Sequence, residues 1–264
     1  MPRIRTYGLD IDTIRYAQRV KSGSGATILP EPLKQINKFV IGVKKLGLWN
    51  SMVCWPMRSI HNAGTGSTVY SLGGRGVFNG TLVNGIEWER NGILAYGINS
   101  TSKFLRLDFP ISNRNFTFGF TTRHLQANTV TASEELGRSL PTQSTIGQVF
   151  RRTWNGAYYW DRWLQGANIF SVNQADVTLR SFYYSICLNI GIEAKLQINN
   201  AFTKNNSHNA IAGNETQISL NRNTSGLDGI YHFGFGFYQS LSDEQMLLVY
   251  DNYKRTLGIG LNLP

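Results

Sequence analysis

The sequence predicts an all-β protein, a two-sheet antiparallel sandwich with a helical segment before it and one helix after it. The composition favours strands and turns, because the 264 residues include 27 glycines and 12% aromatic residues but only 16% charged residues. From about Met52 onward, short apolar runs alternate with clusters of Gly, Asn and Ser, a pattern typical of sandwich strands. No long helical pattern separates these runs, so parallel βαβ units are not expected.

Residues 1–48 are predicted to form a basic helical arm, and residues 49–264 the sandwich. In the first helix of the arm, Ile14, Ala17 and Val20 recur at helical spacing before the SGSG stretch. The second helix begins near Pro32 and ends near Gly47, in agreement with the preference for proline in a first turn and glycine after a last one.

The clearest strand candidates of the sandwich are five aromatic or aliphatic runs. They are residues 76–83, 103–109, 115–125, 181–190 and 194–200.

A further strand near the C-terminus alternates aromatic residues with glycine. Because successive side chains of a strand point to opposite faces, one face should carry Tyr231, Phe233, Phe235 and Phe237. We expect this aromatic face to fill the space between the two sheets. The other face, which includes Gly234 and Gly236, should let another element come close.

The last predicted helix spans residues 242–257. Ser242 and Gln245 have the spacing of a capping box, and Gly258 follows the helix as a stop. Its apolar stripe, which should dock on a sheet, consists of Leu247, Tyr250, Tyr253 and Leu257.

The strand and helix of the C-terminal end, "YHFGFGFYQSLSDEQMLLVYDNYKRTLG", resemble the end of concanavalin A-like (laminin G-like) jelly-roll domains. The upstream stretches "INKFVIGVKKLGLWNSMVCWPM" and "GTLVNGIEWERNGILAYG" resemble the entry to such domains in tailed-phage structural proteins. The resemblance covers roughly residues 35–258 and its motifs are architectural. It implies a jelly-roll sandwich in a bacteriophage virion, as a tail fibre, receptor-binding protein or capsid decoration, with other virion proteins as partners. A fold resemblance fixes no function by itself.

An enzymatic role would come from the glucanase branch of the same fold, which needs carboxylates on one strand as nucleophile and general acid. Glu87 and Glu89 lie at i, i+2, but Trp88 occupies the place where the family carries an additional Asp. We therefore expect a non-enzymatic protein, with glycan cleavage as the least favoured alternative.

No cofactor or metal is expected. The four histidines are scattered without ligand spacing, and the two cysteines, Cys54 and Cys187, are expected to be reduced, buried thiols. The best calcium candidate, the loop at 221–229, contains Asp228 as its one carboxylate.

An aromatic hairpin is the first candidate binding feature. Asn155-Gly156 is a two-residue turn signal, and counting outward from it pairs Arg151 with Trp160 and Arg152 with Tyr159. The side chains that could stack on sugar rings or on a neighbouring subunit are Trp154, Tyr158, Trp160 and Trp163, with Arg151 beside them. The alternative is that half of these rings face the core.

The basic arm is the second candidate. Its first 48 residues contain nine basic and three acidic side chains. The residues expected to dock on an assembly are Arg3, Arg5, Arg15, Arg19, Lys34, Lys38, Lys44 and Lys45. Nucleic acid is not expected as a partner, because the arm lacks dense basic clusters with interleaved aromatic residues. A solvated helix face is the remaining alternative, and the apolar stripe needs cover from either the sandwich or a neighbouring subunit.

The resulting expectation is a virion structural protein that docks through its arm and presents a sandwich for surface contact, as a homo-oligomer in the virion. A lectin module that recognises host glycans is the alternative. The N-terminus shows no signal-peptide pattern and no apolar run is long enough for a membrane span, so a soluble chain without a membrane contact is expected.

Overall fold

Three helices and sixteen strands make up the part of the chain that the structure, a computed structural model, describes. The described residues are 8–95, 104–109, 116–124, 132–137, 146–153, 158–164, 167–174, 182–190, 193–198, 201–205, 218–220 and 229–263.

The helices are α1 (Ile11–Ser24), α2 (Pro30–Lys45) and α3 (Asp243–Lys254), and short 3-10 turns lie at Trp49–Ser51 and Ser59–His61. Most of the signals at their ends are those that the sequence predicts, but Gly258 does not stop α3, which ends at Lys254 with Arg255 as its C-cap. Gly25 ends α1 in the left-handed conformation, with a φ of 75°. The capping box of α3 is confirmed, because Ser242 and Gln245 each accept a backbone N–H of the other with the side chain.

The strands follow in chain order. They are β1 (Met52–Pro56), β2 (Thr68–Val69), β3 (Gly80–Val83), β4 (Glu87–Glu89), β5 (Gly92–Ala95), β6 (Phe104–Leu107), β7 (Phe116–His124), β8 (Ala132–Gly137), β9 (Ile146–Thr153), β10 (Tyr158–Leu164), β11 (Ala167–Gln174), β12 (Phe182–Ile190), β13 (Glu193–Ile198), β14 (Ala201–Asn205), β15 (Ile218–Leu220) and β16 (Gly229–Phe237). Four of the five predicted runs contain one of these strands, and the fifth, 194–200, overlaps β13, which begins one residue earlier.

All described strand pairs are antiparallel and form two sheets. The first sheet has the order β14-β13-β12-β7-β16-β5-β4, and β1 continues the edge of β16 beyond β5. The second sheet has the order β11-β10-β9-β8-β15-β6-β3-β2. The two sheets enclose an apolar core that includes Trp55, Leu107, Phe109, Phe118 and Phe120. The predicted antiparallel β-sandwich is therefore confirmed.

The helices form a third layer on the outer face of the first sheet. Tyr16 of α1, Phe39 of α2 and Tyr253 of α3 belong to one buried apolar cluster with Phe233 and Phe235 of β16. The apolar stripe of the arm is thus covered by the sandwich of the same chain. The division of the chain at residue 48 into an arm and a domain stays a prediction.

The predicted orientation of β16 is wrong. Phe233, Phe235 and Phe237 are fully buried, but they point to the helices and not between the sheets. The ring of Phe233 stacks on Tyr253 of α3, with 4.6 Å between ring centroids, and meets Phe39 of α2 edge-on at 5.4 Å. The terminal helix does close against these rings, as the sequence predicts.

The glycine face of β16 is the face that points between the sheets. A Cβ atom on Gly236 would lie 2.5 Å from the ring of Phe109, and one on Gly234 would lie 3.5 Å from the Trp55 ring. Glycine at 236 therefore makes room for the Phe109 ring, and glycine at 234 makes room for the terminal methyl group of Met57, which would lie 2.9 Å from an added Cβ. A register irregularity between Tyr231 and Phe233 breaks the alternation, so Tyr231 faces the inter-sheet core although Phe233 does not.

Gly236→Ala should destabilise the protein by about 1–3 kcal/mol, because its methyl group overlaps the Phe109 ring in a filled core. The measurement is urea unfolding at equilibrium. Phe109→Leu is the second variant of a double-mutant cycle, in which a coupling of about 1 kcal/mol is expected. Additive losses, or a Gly236→Ala protein as stable as the parent, would contradict the contact.

Candidate functional site

An open groove of about 570 Å³ lies beside α1. Its opposite wall is formed by the chain just after β2, at Tyr70, and just before β3, at Asn79. The volume of the groove is within the range of roughly 300–1,000 Å³ that small-molecule sites occupy. The lining residues are Arg15, Gln18, Arg19, Ser22, Gly23, Tyr70 and Asn79.

One face of α1 forms a wall of the groove. Residues 15, 18, 19 and 22 have the i, i+3, i+4, i+7 spacing of a single helix face. Gly23 continues this wall, and a Cβ atom there would run into the hydroxyl and ring of Tyr70. Glycine at this position therefore lets the last turn of α1 approach Tyr70 closely.

Contacts of its guanidinium group hold the Arg19 side chain in place. Its Nη2 donates a hydrogen bond to the carbonyl of Ser71 at 2.9 Å, and its guanidinium lies 5.9 Å from the centroid of the Tyr16 ring. Its Nε is buried and has no hydrogen-bond partner among the described residues. Burial lowers the pKa of Arg19, and this is offset in part by Tyr16 and Asp12.

Donors dominate the remaining lining of the groove. The side-chain oxygen of Asn79 accepts from the backbone N–H of Ser71 at 3.0 Å, which leaves its Nδ2 group as the free end of the amide. Arg15 is exposed and lies 3.7 Å from Asp12. Among the described residues that line the groove there is neither Asp nor Glu.

Sequence reasoning placed Arg15 and Arg19 among the assembly-docking residues and missed the rest of this groove. Their i, i+4 spacing on a predicted helix is a usable signal for a two-arginine surface. Tyr70 and Asn79 carry no such signal, because they lie just after β2 and just before β3 and only the tertiary fold brings them beside α1.

The two strands of the predicted aromatic hairpin are β9 and β10. The strands β9 and β10 pair Arg151 with Tyr159 and Phe150 with Trp160. The predicted pairing of Arg151 with Trp160, which was counted from a two-residue turn, is therefore wrong by one residue. The turn itself, with Trp154, lies outside the described residues.

This register separates the predicted ligand residues. Because cross-strand partners share a face and successive residues alternate, Tyr158 and Trp160 take positions on one face, whereas Arg151 and Trp163 take positions on the other. The assignment of these five residues to one binding surface stays a prediction.

The basic residues of the arm are dispersed over the helix layer. Arg3 and Arg5 lie outside the described residues, and Lys34, Lys38 and Lys45 are exposed on α2. Lys44 contacts Asp10 at 2.7 Å and Asp12 at 2.6 Å, so its charge is compensated at the start of α1. A common docking surface for these residues stays a prediction.

The candidate carboxylates and metal ligands find no site in the described residues. Glu87 and Glu89 are exposed on β4, at an edge of the first sheet. No group of three potential ligand side chains capable of holding a metal ion occurs among the described residues. Most of the loop at 221–229, the best calcium candidate of the sequence, lies outside them. Within the same residues, none of the helices is both long and apolar enough to cross a bilayer.

Two buried histidines have structural partners. The Nε2 of His61 lies 2.7 Å from the side-chain oxygen of Gln35, and the Nδ1 of His232 contacts the carbonyl of Asn91. Burial, with a smaller contribution from Arg58, lowers the pKa of His61 to about 3. Burial also lowers the pKa of His232, to about 4. Both imidazoles are therefore neutral in the folded protein at pH 7.

No family model and no curated protein matches the sequence. The fold is similar to those of several solved structures. The binding domain of botulinum neurotoxin DC in complex with SialylT has a TM-score of 0.59 at 8% identity, over 76% of this chain and 51% of that one. The same domain in complex with rat synaptotagmin II has a TM-score of 0.60 at 9% identity, over 77% and 52%.

Trypanosoma rangeli sialidase is a second kind of neighbour, with a TM-score of 0.56 at 12% identity, over 86% of this chain and 40% of that one. The chain spans about half the length of the toxin binding domains that it matches. At these identities the similarity shows the β-sandwich fold alone.

Acidification should destabilise the fold through the two buried histidines. Their pKa values are depressed relative to an unfolded value near 6.5, so the stabilisation is complete above pH 6.5 and declines as the pH falls toward 4 and 3. At pH 5 the expected loss is about 2 kcal/mol for each histidine. The measurement is urea unfolding at pH 7 and pH 5.

Matched variants test this assignment. In His61→Gln and His232→Asn, an amide nitrogen can take the place of the partnered ring nitrogen without titrating. The double variant should lose less stability between pH 7 and pH 5 than the parent. An equal loss in both proteins would assign the acid sensitivity to other groups.

Proposed function

We propose that the chain is a non-enzymatic binding module that recognises carbohydrate on a surface. The observation that carries the proposal is the open groove beside α1, which presents guanidinium, amide and hydroxyl groups next to Tyr70. Sugars offer many hydroxyl oxygens and apolar ring faces. A concave site with a few convergent polar groups beside an aromatic ring is suited to them.

The fold similarity supports a binding role. The toxin neighbours are binding domains, one in complex with SialylT and one in complex with rat synaptotagmin II. The finer fold assignment, a concanavalin A-like jelly roll, belongs to the same proposal and rests on the sequence resemblance.

The lining of the groove argues against glycan cleavage there. Glycoside hydrolysis normally needs two carboxylates across the scissile bond, and the groove is lined by none. A sialidase is among the structural neighbours, so the release of reducing sugar is a useful control measurement.

The setting in a phage particle stays an expectation from the sequence resemblance. The neighbours described above are toxin binding domains and a sialidase, and they give it no support. Recovery of the chain in stoichiometric amount from purified particles is the measurement that would establish it.

A glycan array probed with the full chain should give saturable binding to at least one class of oligosaccharide. Ser22→Trp places a large side chain on the groove wall at an exposed helical position and should abolish that binding. Leu248→Trp, at an exposed position of α3 outside the groove, is the matched control and should bind normally. Binding that survives Ser22→Trp, or the absence of any glycan ligand, would reject the proposal.

A further inference from the structure

The chemistry of the groove is more specific than sugar recognition in general. Two arginines stand one helical turn apart on its α1 wall, and the amide nitrogen of Asn79 and the hydroxyl of Ser22 add further donors. Acceptors are fewer, because the side-chain oxygen of Asn79 already accepts from Ser71. The groove therefore favours a ligand rich in acceptor oxygens.

The positive charge of the groove is only weakly compensated. Asp12 is the one carboxylate in a described ion pair with either arginine, and it lies 3.7 Å from Arg15 while also binding Lys44 at 2.6 Å. Arg19 is half-buried, and its hydrogen bond to the Ser71 carbonyl satisfies one end of its guanidinium. A partly desolvated cation whose counter-charge, Asp12, is shared with Arg15 and Lys44 gains free energy when an anion binds beside it.

The position of Arg19 is fixed before any ligand arrives. The Ser71 carbonyl and the Tyr16 ring hold its guanidinium from two sides. Less side-chain entropy is therefore lost on binding than for a free surface arginine. Arg15, by contrast, is 65% exposed and can move toward a ligand.

We propose that the groove beside α1 binds an acidic sugar, with the carboxylate or sulfate group of the sugar held by Arg19 and Arg15 and its hydroxyl groups by Asn79, Gln18 and Ser22. This inference rests on the proposed carbohydrate-binding function and names the class of ligand. Carboxylate and sulfate share the chemistry that the guanidinium groups recognise, so the experiment must distinguish them.

The experiment is calorimetric titration of the full chain with three ligands that share one core: lactose, 3′-sialyllactose and lactose 3′-sulfate. At least one acidic ligand should bind about tenfold more tightly than lactose, as expected for a charge-assisted contact. The affinity for that ligand should fall with rising salt, whereas the weaker affinity for lactose should not. The identity of the better acidic ligand assigns the anion.

Three variants locate the effect. Arg19→Lys keeps the charge but removes the planar fork and should weaken acidic-ligand binding about tenfold. Arg15→Ala removes an exposed charge and should weaken it about threefold to fivefold. Arg90→Ala removes an exposed arginine outside the groove and should leave binding unchanged. Because Arg19 also contacts Ser71, the stability of each variant is measured by thermal unfolding, and Arg15→Ala tests the site without touching that contact.

The outcomes separate the two proposals. Equal binding of lactose and the acidic ligands, or full acidic-ligand binding by Arg15→Ala and Arg19→Lys, would overturn the inference while the carbohydrate-binding function stands. No binding of any sugar here and none on the array would overturn both. Inorganic sulfate that binds as tightly as lactose 3′-sulfate would show recognition of an ion alone, and would also overturn the inference.

Discussion

The structure depends on one strand, β16, whose two faces are built for different neighbours. Its glycine face is flat and admits the rings of Trp55 and Phe109, whereas its phenylalanine face projects into the helix layer. The neighbouring strand β7 complements both faces. Phe118 and Phe120 lie opposite Gly236 and Gly234. Large side chains thus face small ones across the strand pair on each side of the sheet, which allows dense packing in both apolar clusters.

This arrangement explains why the helices belong to the same packing unit as the sheets. A buried aromatic side chain contributes roughly 1.5–3 kcal/mol by leaving water, and Phe233, Phe235 and Phe237 are buried only because helices cover them. Polar contacts then fix the ends of this layer. Arg58 donates hydrogen bonds to the carbonyls of Leu257 and Ile259 at 2.8 Å, just after α3. These bonds pair two backbone carbonyl groups of the segment that follows the helix.

Local signals predict the local parts of this structure well. Each of these parts depends on a few neighbouring residues, so it can be recognised from the sequence alone. Examples are the cap at Ser242, the end of α1 at Gly25 and the strand runs. Period-two alternation predicts that Phe233, Phe235 and Phe237 share a face, but it does not say which layer that face meets. The helix layer and the second sheet could each cover this face, and Gly236 decides between them, because an added side chain there would overlap the Phe109 ring. The predicted register of the β9–β10 hairpin is wrong for a related reason. It was counted from a single turn signal, and a shift of one residue changes every cross-strand pair.

The candidate groove combines elements that are distant in sequence, and its predictability is correspondingly low. Two arginines on α1 are visible from the sequence, but the opposite wall depends on how the chain near Tyr70 is held. The buried amide of Asn62 does this: its nitrogen donates to the carbonyls of Pro56 and Tyr70, and its oxygen accepts the backbone N–H of Tyr70 at 3.1 Å.

On the other side of the groove, Tyr16 of α1 donates from its hydroxyl to the carbonyl of His61 at 2.8 Å. Residues 61 and 62 therefore hold both walls, α1 through a backbone carbonyl and Tyr70 through a side-chain amide. A groove whose two walls are tied to the same buried segment exists before a ligand binds, so little free energy is spent on assembling it. The proposed site therefore depends on this buried segment as well as on the residues that line the groove.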